Sequence, residues 1–388
     1  MKIKNVNLGQ SQAVDATVAV AEFYQAVKQP DMSFVLFFCS SQYDLERLSQ
    51  EMNRWFRGVQ VVGCTTAGEI GPVGLLQHSL VGVSFAADHF TVACGLLNDL
   101  QNFERNQGHQ CVQSLLQQLK SKEPKFDVAN SFAFMLIDGL SKQEEMVAHA
   151  LQDALGDIVS LGGSAADDQR YSNTYVFFQG QFHVNSAVLM VVHTRLPFLV
   201  FTTHHFVGNT ERLVVTKADT QSRRVIEING LPAASEYARL VGVAEHQLNS
   251  AVFAASPMVV LIGTCEYVRS IQKVNSDGSL SFFGAIEEGV VFRIGESGHM
   301  LENVRHSLEC VTEKLGSIQL VIVCDCILRR LEAVEKGINL LIAEQLDAHH
   351  AIGFNSYGEQ YYGVHMNQTL TGIAIGSTSQ NAENSQSW

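Results

Sequence analysis

Three stretches of this chain repeat one pattern: an apolar strand, an amphipathic helix, and a second apolar stretch that ends in a glycine-rich turn carrying an acid. The opening strands are Phe34–Phe38, Phe132–Ile137 and Leu320–Cys324. The turns read Gly63-Cys-Thr-Thr-Ala-Gly-Glu69, Gly162-Gly-Ser-Ala-Ala-Asp-Asp168 and Gly353-Phe-Asn-Ser-Tyr-Gly-Glu359. Spacing supports the repeat: 24 residues separate Cys39 from Gly63 and Asp138 from Gly162, and 29 separate Cys324 from Gly353. The first and third turns match in Gly, Thr or Ser, Gly and Glu. The middle one is expected to keep the first glycine, a small hydroxyl residue and a final acid, Asp168. Repeated units of this size share a core by stacking, and ligand sites favour the space between such units.

A chain of 388 residues has room for about two to three domains and a large core. Its net charge of −13 argues against nucleic acid or an anionic membrane surface, which require clustered Lys and Arg. The cysteines are scattered, and Cys39, Cys94 and Cys324 lie in apolar strands, as reduced thiols do. The N-terminus has no apolar signal core, and no apolar run approaches the roughly 18 residues of a membrane helix. The expectation is a soluble, cytoplasmic protein.

Helix starts are expected at Ser41-Gln-Tyr-Asp44 and at Ser141-Lys-Gln-Glu144, both in capping-box form. A face of Leu45, Leu48, Met52 and Trp55 follows the first, and Val147, Ala150, Leu151, Ala154 and Leu155 the second. The third helix carries Leu331, Val334, Ile338, Leu341 and Leu346, with Glu332 and Lys336 paired on its wet side. After each turn the period falls to two: Leu80–Phe85, Tyr175–Phe178, Ala187–His193 and Leu199–His205 read as antiparallel strands. Val225–Tyr237 reads as strand, turn and helix start, and Ser276-Asp-Gly-Ser279 as a hairpin turn. The predicted fold is mixed α/β, with duplicated strand–helix–strand units and added antiparallel strands. A soft boundary at 207–220 divides it into 1–215 and 216–376, before a polar, disordered tail at 377–388.

Several residues are candidates for chemistry. The turn acids Glu69, Asp168 and Glu359, beside the hydroxyls of Thr66 and Ser356, could hold a ligand ammonium or cation; equally, they could cap local backbone amides. His204-His205 ends a strand at the proposed junction, His349-His350 precedes the third turn, and His365 follows it. A neutral imidazole in an apolar pocket can ligate haem iron, though an isolated histidine is more often a hydrogen-bonded structural residue. Arg329 and Arg330 could pair with a ligand carboxylate or begin a solvated helix. Cys324 and Cys326 could suit a soft metal, and Cys64 a nucleophile, against packed core thiols. No P-loop, Gly-x-Ser-x-Gly, zincin or kinase signature is present.

Taken together, Val62–Glu69, Leu161–Asp167, Val214–Thr216, Glu227–Tyr237, Cys324–Arg330, Gly353–Glu359 and Asn367–Thr369 resemble the FIST sensory domains, N-terminal and C-terminal parts both, over about Ser33 to Gly376. With Thr203–Phe206, Asp325–Arg330 and Gly363–Thr369, the resemblance extends to the NosP group of stand-alone sensors. It implies a non-enzymatic bacterial sensor that holds haem b non-covalently and senses nitric oxide. The partner would be a separate histidine kinase, or a diguanylate cyclase or phosphodiesterase acting on cyclic-di-GMP; a homodimer is compatible. It implies axial ligation by His205 or His204, then His365 or His349-His350, with Arg329 and Arg330 near the propionates. The alternative is a FIST module binding an amino acid or another small polar metabolite through Glu69, Asp168, Glu359, Thr66, Ser356 and Arg329.

Overall fold

The computed structural model describes residues 5–262 and 265–377. The expected polar tail lies outside the described residues apart from Ser377. The three repeats are present, and each is larger than its sequence signature. A unit consists of an edge strand, a helix, a central strand, a helix segment, a strand parallel to the central one, a hairpin, and a returning strand. In the first unit these are Val6–Ser11, Ala16–Val27, Met32–Ser40, Leu45–Trp55, Gln60–Thr66, the hairpin Glu69–Gly71 with Gly74–Leu76, and Leu80–Ala86. The second runs from Phe90–Leu97 to Ala187–Thr194 around the parallel pair Ser131–Ile137 and Val159–Ser164. The third runs from Phe198–Thr203 to Leu370–Gly376 around Ile318–Cys326 and Ala351–Ser356.

Each unit builds a six-stranded sheet, but no unit keeps its own hairpin. The first unit's hairpin pairs with the third sheet, Ile70 opposite Gly353. The second unit's hairpin, Val176–Phe178 with Gln181–His183, pairs with the first sheet, Val176 opposite Cys64. The third unit's, Glu359–Tyr361 with Val364–Met366, pairs with the second sheet, Gln360 opposite Gly162. The exchange is cyclic and closes the three sheets around one interior.

Strand alternation explains the unbroken apolar runs. Phe34, Leu36 and Phe38 point inward, where they join Phe134, Leu136, Ile322, Cys324 and Phe354 in one core shared by all three sheets. Val35, Phe37 and Cys39 point outward against helices Ala16–Val27 and Leu45–Trp55. Both faces of each sheet are therefore buried, which demands continuous apolar sequence. The repeated glycine has a steric cause. A Cβ on Gly63, Gly162 or Gly353 would lie 2.6, 2.0 or 1.9 Å from the carbonyl oxygen of Phe37, Met135 or Val323 on the neighbouring central strand.

The third unit is interrupted between its first strand and its first helix. There the chain leaves to form a nine-stranded antiparallel sheet, from Phe206–Gly208 to Val291–Ser297, before re-entering at helix Met300–Leu315. This inserted sheet carries helices Ala233–Val241 and Ser250–Ala255 and has its own core, including Val225, Ile228, Tyr237, Phe253, Leu280 and Phe292. The sequence boundary at 215/216 falls inside its strand Leu213–Asp219.

Several local expectations need correction. The cap of helix Leu45–Trp55 is Asp44, which accepts the Arg47 amide, not Ser41. Helix Glu144–Leu155 starts after Gln143; Ser141 instead accepts the Gln143 amide in the preceding turn. The expected third helix is two, Ile327–Glu335 and Asn339–Ala348, broken at Gly337 with φ +66°. That break leaves Val334 and Leu341 exposed rather than on a core face. No helix among the described residues is long and apolar enough to cross a membrane.

The exchange makes the N-terminal two units dependent on the third. Residues 1–231 alone lack the hairpin that closes the second sheet and the strands that receive the first hairpin. This fragment is expected to show no cooperative thermal transition and no dispersed amide spectrum, whereas the full chain shows both. A well-dispersed spectrum from 1–231 would contradict this reading.

Candidate functional site

The turn acids are structural clasps. Glu69 and Glu359 are fully buried. The Thr66 hydroxyl donates to one oxygen of Glu69, while the Ser79 hydroxyl at 2.7 Å and amide at 3.2 Å donate to the other. Glu359 repeats this with the Ser356 hydroxyl, the Thr369 hydroxyl at 2.6 Å and the Thr369 amide at 3.2 Å. Each carboxyl thus ties the hairpin base to the strand that precedes it and the strand that follows. Burial pushes Glu69 up to about 7 and Glu359 up to about 8, against the pull of these hydrogen bonds. Thr66 and Ser356, considered as ligand groups, are committed to the clasps.

Asp168 is not the third copy. The position equivalent to Glu69 and Glu359 is Val176, because Glu69 faces Phe354, Glu359 faces Gly163, and Val176 faces Cys64 at matching register. The middle loop is longer and has its own acid: Asp167 accepts the amides of Tyr171, Ser172 and Asn173 and the Tyr357 hydroxyl. Asp168 is half-buried and meets only side chains at the rim, with Gln42 at 3.1 Å.

The charged residues near the inserted sheet form a second construction. His205 is buried in the segment that leads into the sheet. Its Nε2–H donates to both oxygens of Glu332, at 2.9 and 3.0 Å, and its Nδ1 accepts from Arg329 at 3.2 Å. Arg329 is also paired with Asp325 at 2.6 Å, and Arg330 donates to Ala67 O and Asn355 Oδ1. Glu332 further receives Ser297 and Lys336, so the expected pair with Lys336 forms, with the lysine exposed and the carboxylate buried in the latch. Gly298 N–H donates to His205 O at 2.7 Å. The chain entering the sheet and the chain leaving it are thereby fastened to one helix. Burial lowers His205 while the Glu332 contact opposes it; Glu332, although burial disfavours its charge, is held at about 2 by His205, Lys336 and Ser297.

These contacts test the haem expectation. A haem needs a free imidazole nitrogen beside a flat apolar slot. Both nitrogens of His205 are engaged. His349 donates Nδ1–H to Gln345 O, and His350 is exposed at a helix end. His365 Nε2 has no partner, but it packs on Gly358, where one added Cβ would come within 2.3 Å of ring Cε1. His204 keeps an unpartnered Nδ1 on a half-buried ring. Four surface grooves of the molecule are lined by none of these histidines. Of the histidines that the resemblance places first, His204, His205 and His365, only His204 keeps a ring nitrogen that is neither partnered nor enclosed by packing. Burial raises the thiols of Cys64, Cys324 and Cys326 well above the ordinary range, which disfavours metal or nucleophile roles.

The seam between the inserted sheet and the barrel is where unsatisfied chemistry collects. Eight buried side-chain polar atoms lack a hydrogen-bond partner among the described residues, and four belong to one nine-residue stretch: Gln360 Oε1, His365 Nε2, Asn367 Oδ1 and Gln368 Oε1. Facing them across the seam are Arg269, which donates to His365 O at 2.9 Å, and Arg223, which pairs with Glu144 and Glu145. Of these residues, His365 was legible from the sequence. Asn367 and Gln368 stood in a matching segment without an assigned role. Gln360, Arg269 and Arg223 gave no signal, because each becomes distinctive only when three distant segments meet.

The comparisons with known proteins agree with the FIST part of the resemblance. The FIST N domain matches residues 33–231 and the FIST C domain residues 233–362. The chain belongs to the FIST family. The junction between the two FIST regions falls within the inserted sheet, so the FIST C region includes most of that sheet and much of the third unit. An uncharacterized protein of Methanocaldococcus jannaschii is 22% identical over 211 residues, 53% of this chain. The match spans 40% of that relative's length. Among solved structures, the cyanuric acid hydrolase from A. caulinodans aligns over 97% of this chain and 100% of its own, with TM-score 0.40 and 9% identity. A second cyanuric acid hydrolase structure covers 96% and 99%, with TM-score 0.39 and 7% identity. Likeness at this level carries no argument about activity.

The clasps make stability pH-dependent. Both carboxyls titrate above the ordinary glutamate value in the folded state, so they support folding most fully below about pH 4.5 and lose that support as pH rises through about 7 to 8. Glu359→Gln, a mimic of the protonated acid, is expected to flatten the fall in melting temperature between about pH 6 and about pH 9. Glu359→Ala is expected to cost about 3 kcal/mol by leaving two buried hydroxyls and an amide without their acceptor. An unchanged pH slope in the Gln variant would overturn this.

Proposed function

We propose that the protein is a non-catalytic sensory module in which the three-sheet barrel is the frame, the inserted sheet the moving part, and a small polar metabolite the signal. FIST domains are sensory, ligand-binding modules, and the observation that carries the mechanical reading is the nature of the seam. The inserted sheet keeps a separate apolar core, and besides the packing of Phe283 on the barrel it is joined to it by a set of ion pairs and hydrogen bonds: His205–Glu332, Ser297–Glu332, Arg223–Glu144, Arg269–His365 O and Gln368–Ser270. Polar interfaces of this kind leave relative motion as the default. A ligand that binds one pose of the sheet better than another shifts the population by that difference in affinity. A separate histidine kinase or a cyclic-di-GMP cyclase or phosphodiesterase would read the pose, as the resemblance to the NosP group implies.

The haem and nitric oxide reading is the less well supported one, because His205 is occupied, His365 is enclosed, and only His204 of the three keeps an available nitrogen. One equivalent of hemin is expected to give the broad spectrum of the free cofactor. A sharp Soret band, lost in His204→Ala or His205→Ala, would restore haem as the ligand.

The sensory reading is tested by screening polar metabolites for thermal stabilisation, then mapping hydrogen exchange with a hit. At a hundredfold excess over Kd, stabilisation of about 2.7 kcal/mol is expected. Exchange should change at residues 205–208 and 295–298 and along the seam, with the barrel strands unaffected. A stabilising ligand that leaves the inserted sheet's exchange untouched would remove the moving-part mechanism. Glu332→Gln, which weakens the latch, is expected to speed exchange at the same two segments without lowering barrel protection.

A further inference from the structure

We propose that the open edge of the second sheet, strand Phe90–Leu97, is a docking groove for an extended acidic segment of a partner protein, added as one more strand. The hairpin exchange closes one edge of each sheet; the other edge is the first strand of its unit. Among the described residues nothing pairs beyond Phe90–Leu97. Arg195 N–H donates to His89 O at 3.1 Å, a rung in line with the ladder to Ala187–Thr194. Antiparallel rungs alternate, so Val92, Cys94 and Leu96 turn their backbone N–H and C=O groups to the open side. Lys122 bears this out, because its ammonium donates to Val92 O at 3.0 Å. The strand is eight residues long, in unbroken register, and has no charge and no proline, so it carries none of the usual guards of an exposed edge. Two grooves of about 390 and 230 Å³ run along it and meet at Cys94 and Gln118. Their far wall is helix Arg105–Lys122, which presents Gln107, Gln110, Ser114, Gln118 and Lys122.

Charge selects the occupant. The chain carries a net charge of −13, yet none of the described residues lining these two grooves is acidic. The same holds for a third groove of about 530 Å³, which joins them at Ser33, Gln60 and Lys122 and adds Arg57. Helix Arg105–Lys122 has three Lys or Arg and no acid over 18 residues. Its counterparts beside the first strands of the other units differ. Ala16–Val27 carries Glu22 and no Lys or Arg, and Met300–Leu315 carries Glu302, Glu309 and Glu313. Two flanking acids are engaged elsewhere: Glu123 pairs with Arg195 at 3.0 Å, and Asp99 accepts from Asn102 and Asn185. An added strand projects alternate side chains to the two sides of the sheet. On the inner side it would cover Cys94 and Leu96, half-buried residues that pack on the shared core. On the outer side it would meet the glutamine wall and Lys122. The recognised segment therefore alternates apolar and acidic residues, with backbone hydrogen bonds supplying affinity and the alternation specificity. A basic segment would leave Lys122 and Arg57 unpaired. A second copy, edge to edge, would bring two Lys122-bearing helices together with no carboxylate to receive them. The groove lies on the first and second units, so it stands whether or not the inserted sheet moves.

The test titrates the full chain into a fluorescein-labelled, end-blocked peptide of alternating valine and glutamate, as long as the strand, and follows anisotropy. One control replaces glutamate by lysine. A second is N-methylated throughout, which keeps the charge and removes every backbone donor. The acidic peptide is expected to bind saturably and more weakly as salt rises, and the controls are not expected to bind. Lys122→Glu, on the exposed surface of the helix, should weaken the acidic peptide about tenfold and admit the lysine peptide. By NMR of the full chain, the amides of Val92, Cys94 and Leu96 should gain exchange protection in the complex, while those of Thr91, Ala93 and Gly95, already in the ladder, stay unchanged. No saturable binding, equal binding of acidic and basic peptides, or undiminished binding after N-methylation overturns the proposal. So does the absence of new protection at Cys94 and Leu96. Protection there that rises with protein concentration and without peptide would make a second copy the occupant and equally overturn it. Exchange at residues 205–208 and 295–298, the readout of the sensory motion, is expected to stay constant, so the two readings fail separately.

Discussion

A strand edge buried inside a protein must find a partner, because an unpaired backbone N–H or C=O away from water is costly. Each of the three sheets ends on such an edge, and each edge is closed by a hairpin from another unit. The rest of the molecule follows from that exchange. It fixes the cyclic arrangement, brings Phe38 and Phe354 into a stack at 4.6 Å across the interior, and makes the three units interdependent. It also places the third hairpin, with Gln360, His365 and Asn367 on it or beside it, at the edge of the second sheet, facing Glu145 and the inserted sheet.

The buried glutamates show why an exchanged hairpin needs more than backbone pairing. The chain must turn sharply out of one sheet and into the next, and a carboxyl that accepts from both flanking strands holds that turn shut. The middle unit does without one: Val176 occupies the position, and a longer loop organised by Asp167 makes the turn instead. The two solutions satisfy the same groups. The carboxyl clasp is compact but sensitive to ionisation, while the loop relies on an acid that stays charged near the surface of the barrel's end.

The three-unit plan was legible because sheets buried on both faces impose unbroken apolar runs, and close approach of neighbouring strands imposes Gly63, Gly162 and Gly353. The clasp residues Glu69 and Glu359 were also visible, although not which of their two roles they play. Asp168 was misleading, since an acid at the right sequence offset sits in a loop of different length. Val6–Ser11 and Ala16–Val27 escaped notice because no turn signature follows them. The inserted sheet was seen as strands and a turn, but nothing local reveals that it interrupts the third unit. The seam was least legible of all. Arg223, Arg269, Glu145 and Gln360 look like ordinary surface residues until the fold buries them together.

The exchange has a consequence for biosynthesis. The first hairpin's Ile70 pairs with Gly353, about 280 residues later in the chain. At translation rates of roughly 5–20 residues per second, that hairpin waits roughly 15–60 s for its partner strand to be made. Throughout that interval an apolar ribbon, and the inward face of the first sheet, stand open at the ribosome. The inserted sheet, with a core of its own, is synthesised within the same interval and can fold before the barrel closes. The nascent chain can thus form the inserted sheet before the barrel is complete, and it depends meanwhile on whatever shields exposed strands in the cell.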